Sequence, residues 1–191
     1  MSMIPVKVDY NGEVLCCRVH DLMLDLIRVK CEEENFINVI DDPQAAMRQQ
    51  KKIRRVNLQY SGMGYGLRQI TINCSLFQAR SIGFFTRVSM PSFLGFKYVR
   101  VLFLDFIFPD WSNRNVLAER DLTGVCGLFL LRYFKIASNS YFQLPNQLWG
   151  LQYLETMVIQ TSGTVSVPSD ISRLRRLLNL TSICYRISAR N

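Results

Sequence analysis

Histidine is nearly absent from this chain, with one in 191 residues, and the six cysteines (Cys16, Cys17, Cys31, Cys74, Cys126, Cys184) form no C-x-x-C pair and no regular spacing. Zinc modules need four such ligands at short fixed separations, so no zinc site is expected, and the thiols should be reduced and mostly buried. A Cys/His nucleophile pair would have to draw on His20 with Cys16, Cys17 or Cys31. No motif supports that pairing, and no enzymatic activity is expected. The chain also lacks G-x-x-x-x-G-K-[ST], so no backbone cradle or lysine for nucleotide phosphates is expected. Gly62-Met63-Gly64-Tyr65-Gly66 is glycine-rich without the following Lys-Ser/Thr and reads as a loop. The longest apolar run, Val99 to Phe108, is broken by Arg100 and Asp105 and is far too short to span a bilayer. The opening MSMIPVKVDYNG has no continuous apolar segment of the signal-peptide kind. Acidic residues are the scarcer sign, 15 against 23 basic, and the net charge of +8 favours acidic partners without bearing on fold. The 49% hydrophobic content, with twelve Phe, implies surface that another part of a longer chain would cover.

What is present is a repeat. Sliding Leu144–Ile159 by 23 places puts Leu144 on Val167, Pro145 on Pro168, Leu148 on Ile171, Leu151 on Leu174, Leu154 on Leu177 and Met157 on Leu180. A period of roughly 20–29 residues carrying L-x-x-L-x-L marks a leucine-rich repeat. One repeat cannot bury its apolar edge alone, so neighbours stack and share a core. The triplet apolar-x-x-apolar-x-apolar reads Ile53/Val56/Leu58, Ala79/Ile82/Phe84, Val99/Leu102/Leu104, Leu131/Phe134/Ile136, Leu154/Met157/Ile159 and Leu177/Leu180/Ser182. Its steps are 26, 20, 32, 23 and 23, the longest carrying a polar insertion around Asp110–Arg120. At the last triplet either Ile183 replaces Ser182 in the core or the array is cut short.

Residues 1–34 differ in character. Ile4, Val6 and Val8 alternate with Pro5, Lys7 and Asp9, Asn11-Gly12 suits a tight type I′ turn, and Val14 to Val19 returns, which predicts a β-hairpin. A helix should follow, with Leu22, Met23, Leu26 and Ile27 on one face and Asp21 as its N-cap. Residues 35–52 form a junction, with a turn at Asp41-Asp42-Pro43 and a basic cluster of Arg48, Lys51, Lys52, Arg54 and Arg55 that runs into the repeats at 53–191. The expected fold is therefore α/β, a solenoid with a curved parallel sheet and an irregular convex side, preceded by a hairpin and helix. Strand alternation turns Arg55, Asn57, Gln59, Ser81, Gly83, Phe85, Val101, Phe103, Asp105, Tyr133, Lys135, Ala137, Thr156, Val158, Gln160, Asn179 and Thr181 out onto the concave face. Arg55, Asn57, Gln59, Phe85, Phe103, Asp105, Tyr133, Lys135, Thr156 and Gln160 are the candidate partner-binding residues, with Phe85, Phe103 and Tyr133 expected as anchors by their aromatic character.

The segment Cys17-Arg18-Val19-His20-Asp21-Leu22-Met23-Leu24-Asp25-Leu26-Ile27 resembles the end of the nucleotide-binding (NB-ARC) module of plant NLR immune receptors of the coiled-coil class, where a Met-His-Asp motif precedes an apolar helix and then leucine-rich repeats. Val19 stands in place of the Met, while His20 and Asp21 match. Glu33-Glu34-Asn35-Phe36, Arg54-Arg55-Val56-Asn57-Leu58, Arg80-Ser81-Ile82, Lys97 to Leu104 and the Leu-Pro-x-x-Leu repeats resemble the same region, so the likeness covers essentially the whole chain. It implies that residues 1–34 are the remnant of a winged-helix subdomain, in which His20 and Asp21 would sense the β-phosphate of ADP in a complete receptor. It implies that the repeats recognise a pathogen effector or a guarded host protein and dock on the receptor's NB-ARC and coiled-coil domains. A cytoplasmic location is expected, with the nucleus and the periphery of the plasma membrane as alternatives. Without a phosphate cradle, no cofactor is expected in this chain, ADP or ATP belonging to the complete receptor, and the sequence reads as a C-terminal piece of one. The competing readings are a basic nucleic-acid-binding module built on residues 48–55 and a non-functional truncated relic.

Overall fold

The computed structural model describes residues 4–8, 14–40, 53–60, 74–86, 93, 95–106, 122–138, 141–161 and 165–184, and the chain divides into two compact units, Met1–Asn38 and Val39–Asn191. The Asn11-Gly12 turn, the Asp41-Asp42-Pro43 turn, the glycine stretch at 62–66 and the insertion at 110–120 lie outside the described residues, as do Arg48, Lys51 and Lys52.

In the first unit, β1 (Ile4–Val8) and β2 (Val14–Arg18) pair antiparallel from Ile4↔Arg18 to Val8↔Val14, with an irregularity on either side of Lys7. Helix α1 spans Asp21–Glu33. Its cap differs from the expectation of Asp21. His20 is the N-cap, extended at φ −62° and ψ 144°, and its Nδ1 accepts a hydrogen bond from the Leu22 amide at 3.3 Å. Asp21 is instead the first helical residue, where its charge faces the positive end of the helix dipole. The other end closes on a left-handed residue. Asn35 takes φ 50°, the Asn35 amide donates to the Glu32 carbonyl, and the Phe36 amide donates to the Cys31 carbonyl. These are the two bonds of a Schellman motif, and Asn tolerates that backbone better than other side chains with a Cβ. The apolar residues of α1 are not covered: Leu22, Leu26 and Ile27 are exposed, Met23 is half-buried, and none of the helix is buried. Leu26 and Ile27 border an open hollow that is also lined by Lys30, Cys31, Glu34 and Phe36.

The second unit is built on a seven-stranded sheet. Its order is β11 (Asn179–Cys184), β9 (Thr156–Thr161), β7 (Tyr133–Ser138), β6 (Val101–Phe106), β5 (Ser81–Thr86), β4 (Arg55–Tyr60) and β3 (Asn38–Ile40). From β4 to β11 every pairing is parallel, with Val56, Ile82, Leu102, Phe134, Met157 and Leu180 in one register and Leu58, Phe84, Leu104, Ile136, Ile159 and Ser182 in the next. These are the second and third members of the sequence triplets. Period-2 alternation sends both to one side of the sheet, and all but Leu180 and Ser182 are buried. The first members, Ile53, Ala79, Val99, Leu131 and Leu154, are buried just ahead of each strand. Between them, each pre-strand carbonyl accepts two amides from the next repeat: Arg80 and Ser81 donate to Arg54, Arg100 and Val101 to Arg80, Arg132 and Tyr133 to Arg100, Glu155 and Thr156 to Arg132, and Leu178 and Asn179 to Glu155.

Short 3-10 helices at Cys74–Gln78, Thr123–Gly127, Asn146–Gly150 and Ser169–Arg173 return the chain behind the sheet. Pro145 and Pro168, both extended at φ −68°, immediately precede the last two. Proline fixes φ there and lacks the amide that the start of a helix leaves unpaired. A two-stranded parallel ribbon, β8 (Phe142–Gln143) with β10 (Val165–Ser166), ties those two repeats together. Leu76, Val125, Leu148, Leu128 and Leu151 fill the space behind the sheet, and Phe77 and Phe93 each pack edge-on to Phe96. Gly95 sits in that aromatic cluster at φ 97°, where a Cβ would come within 2.8 Å of the Phe77 ring. Cys31 and Cys126 are half-buried.

The last repeat differs from those before it. Ser182 pairs with Ile159 and Ile183 with Gln160, so Ser182 keeps the core register and Ile183 does not replace it. Leu180 is 52% exposed where its counterpart Met157 is 0% exposed.

Candidate protein-binding face

The side of the sheet opposite the core carries three rows set by the same register. The first runs Arg55, Ser81, Val101, Tyr133, Thr156 and Asn179. The second runs Asn57, Gly83, Phe103, Lys135, Val158 and Thr181, and the third Gln59, Phe85, Asp105, Ala137, Gln160 and Ile183. All ten candidate binding residues of the solenoid therefore share one face. Arg55 is exposed and the other nine are half-buried by their neighbours.

Two positions expected to point outward are buried. Ala137 is 0% exposed, because β7 ends in three consecutive buried residues, Ile136, Ala137 and Ser138, and its small side chain is covered. Gly83 is buried for a different reason. Asn57 and Phe85 lie across its Cα, and a Cβ there would stand 2.8 Å from Phe85 Cε2 and collide with Asn57 Oδ1. Next to it, Phe103 and Tyr133 hold their rings 5.2 Å apart at 35°. Burial raises the pKa of the Tyr133 hydroxyl above its ordinary value of 10.0, since the phenolate loses hydration there.

The residue just before each strand adds a second surface. Arg54, Arg80, Arg100 and Arg132 occupy that position in four successive repeats, and all four are exposed. Rungs of a sheet lie about 4.8 Å apart, so the four arginines start from backbone positions stacked in a column. Arg132 pairs with Glu155, its counterpart in the next repeat, at 3.2 Å. Among the described residues no carboxylate forms an ion pair with Arg54, Arg80 or Arg100. Sequence reasoning caught only Arg54 of this column, grouping it with the basic cluster at 48–55. The signal was available in the triplets, as the residue after each first core position. Behind the sheet, Arg173 stacks over Trp149 at 5.1 Å and Arg176 over Tyr153 at 4.9 Å. His20 and Asp21 lie in the first unit, with His20 engaged as the cap of α1.

In-register strands, 3-10 returns and a 23-residue period define a leucine-rich-repeat solenoid. The family model described as a leucine-rich repeat region matches residues 78–189, more than half of the chain, and the chain belongs to that family. Its relatives are plant disease resistance proteins of the NLR type. It is 36% identical over 177 residues to disease resistance protein RGA5 of Oryza sativa subsp. japonica, covering 92% of this chain and 15% of that protein. It is 32% identical over 176 residues to disease resistance protein Pik-2 of Oryza sativa subsp. japonica, covering 92% and 17%. To the putative disease resistance RPP13-like protein 3 of Arabidopsis thaliana it is 27% identical over 183 residues, covering 92% and 20%. The chain thus spans at most one-fifth of the length of these relatives. Among the described residues no helix is long and apolar enough to cross a membrane.

Proposed function

We propose that this chain is the recognition and regulatory part of an intracellular plant immune receptor, acting by protein binding and not by catalysis. The observation that carries the reading is the continuous open face of six parallel strands, with an aromatic pair at its centre, in a chain similar over 92% of its length to disease resistance protein RGA5. Aromatic side chains in a partly desolvated setting are the usual anchors of protein interfaces. The partner on this face is a pathogen effector or a guarded host protein. The arginine column serves a different contact, docking on an acidic surface of the receptor's own NB-ARC or coiled-coil domain. Nucleotide binding belongs to the complete receptor. There His20 and Asp21 sense the phosphate of ADP, and this chain holds no nucleotide of its own. The site of action is the cytoplasm.

The arginine column also fits the phosphates of a nucleic acid, which makes that the second reading. One experiment separates them. The NB-ARC and coiled-coil domains of a relative are titrated against the chain, and a random-sequence 30-mer duplex is titrated in parallel, each across a salt series. Protein binding that is lost in the Arg80→Glu/Arg100→Glu double variant, with weak DNA binding, supports the proposal. A DNA affinity falling steeply with salt, and no domain binding, sinks it.

A further inference from the structure

A second series of exposed residues lies along the edge where the returning chain turns into each strand. The residue before each first core position is Gln78, Tyr98, Leu130, Tyr153 and Arg176 in five successive repeats, and all five are exposed. Ala79, Leu131, Leu154 and Leu177 close the same turn, each amide donating to the carbonyl three residues back, so the positions stack from repeat to repeat. Side chains of neighbouring turns meet there, with Arg176 over the Tyr153 ring at 4.9 Å. Tyr98, Leu130 and Tyr153 thus make an apolar column three rungs long, widened by exposed Phe129 beside Leu130. Arg100 and Arg132 follow Tyr98 and Leu130 by two residues, at most about 7 Å along the chain. Lys97 and Arg175 are exposed at its two ends. Across residues 77–80, 97–100, 129–132, 152–155 and 175–178 the single acid is Glu155, and it is paired with Arg132 at 3.2 Å.

We infer that this edge takes an acidic protein surface whose carboxylates flank an apolar side chain, the apolar column supplying affinity and the arginines orientation. The inference rests on the proposed docking of the arginine column and adds the residues beside it. Charge selects the occupant. Arg54, Arg80 and Arg100 form no ion pair with a carboxylate among the described residues, and Arg132 shows such a pair already made, with a carboxylate one rung away. An apolar centre inside a charged rim is the anatomy of a protein interface, where the centre holds and the rim steers. A nucleic-acid strand matches less well. It is held by successive bases stacked on ring faces, whereas Leu130 separates the two tyrosines and Arg176 covers the Tyr153 ring.

The test titrates the NB-ARC and coiled-coil domains of a relative against the full chain, from about 50 to about 500 mM NaCl. Affinity should fall with salt and then level off, the residue being the apolar contact. Tyr98→Ser/Leu130→Ser should weaken binding about tenfold or more at every salt concentration and leave the salt slope unchanged. Arg80→Glu/Arg100→Glu should flatten the slope instead. Tyr98 and Leu130 are exposed, so the melting temperature of the serine variant should match the parent's. Leu130→Met, which keeps an apolar side chain, should bind within about threefold, and Gln147→Ala, on a 3-10 helix behind the sheet, within about twofold. Parent-like binding by Tyr98→Ser/Leu130→Ser, or equal losses in Leu130→Ser and Leu130→Met, overturns the inference and leaves the docking of the arginine column standing. No domain binding overturns both, as does binding only to the DNA duplex or to phosphatidylserine–phosphatidylcholine vesicles titrated in parallel.

Discussion

Helix α1 and the strands of the solenoid are both amphipathic, yet one apolar face is open and the other is sealed. Leu26 on α1 is 50% exposed, whereas Leu102 at the centre of the sheet is 0% exposed. The pattern of a segment says which side avoids water. It does not say what arrives to cover that side. In the solenoid the cover is the neighbouring repeat, written into the same pattern at a fixed offset, so the sequence holds both halves of each contact. Within its own unit, among the described residues, α1 has no such partner.

The contrast can be broken by truncation. Phe134→Ala, which empties a fully buried aromatic site, should cost about 3–5 kcal/mol in chemical denaturation, and Leu154→Ala about 2–5 kcal/mol. The same change at Leu26 should stay within about 0.5 kcal/mol. If Leu26→Ala is as damaging as Leu154→Ala, α1 is covered in solution and the comparison fails. Thr156→Ala, two residues from Leu154 but on the open face, should also cost about 0.5 kcal/mol or less. Equal shifts in melting for Leu154→Ala and Thr156→Ala would overturn the strand register. Loss of the cap in His20→Ala should cost about 0.5–2 kcal/mol of local stability. Hydrogen exchange at the amides of the first turn of α1 would report it, with no change expected in the β6 or β7 amides.

The smallest effect lies at Tyr133. Its folded pKa stands above the unfolded value near 10 because burial penalises the phenolate. The unfolded chain therefore loses its proton first, so the contribution to stability is full below about pH 10 and is lost as pH rises through the folded value. Ultraviolet titration should show Tyr133 ionising late, and Phe103→Ala should bring it closer to 10 by admitting water. An unchanged late transition in Phe103→Ala would remove Phe103 as a source of that burial.

The solenoid was legible because its 23-residue offset marks core positions and, by alternation, the face opposite. Four features were not. His20 as the helix cap escaped notice because histidine is not among the preferred capping residues, and Asp21 beside it is. Ala137 escaped because alternation says which way a side chain points and not whether its surroundings cover it, and a methyl group is easily covered. Gly83 escaped because its burial comes from the reach of Asn57 and Phe85, a matter of side-chain length across and along strands. The arginine column escaped because its members stand 26, 20 and 32 residues apart and become neighbours only once the strands are in register.

The paired amides on each pre-strand carbonyl have a consequence for how such a chain tolerates change. Successive turns here take 26, 20, 32, 23 and 23 residues, yet their strands align without slippage. Each turn restarts its count at one oxygen, as a typewriter carriage returns to its margin. Differences in loop length are absorbed within the turn where they occur and are not passed to the next. Deletions or insertions behind the sheet can then accumulate while the open face keeps its spelling, and its outward residues remain free to vary independently of the frame that holds them.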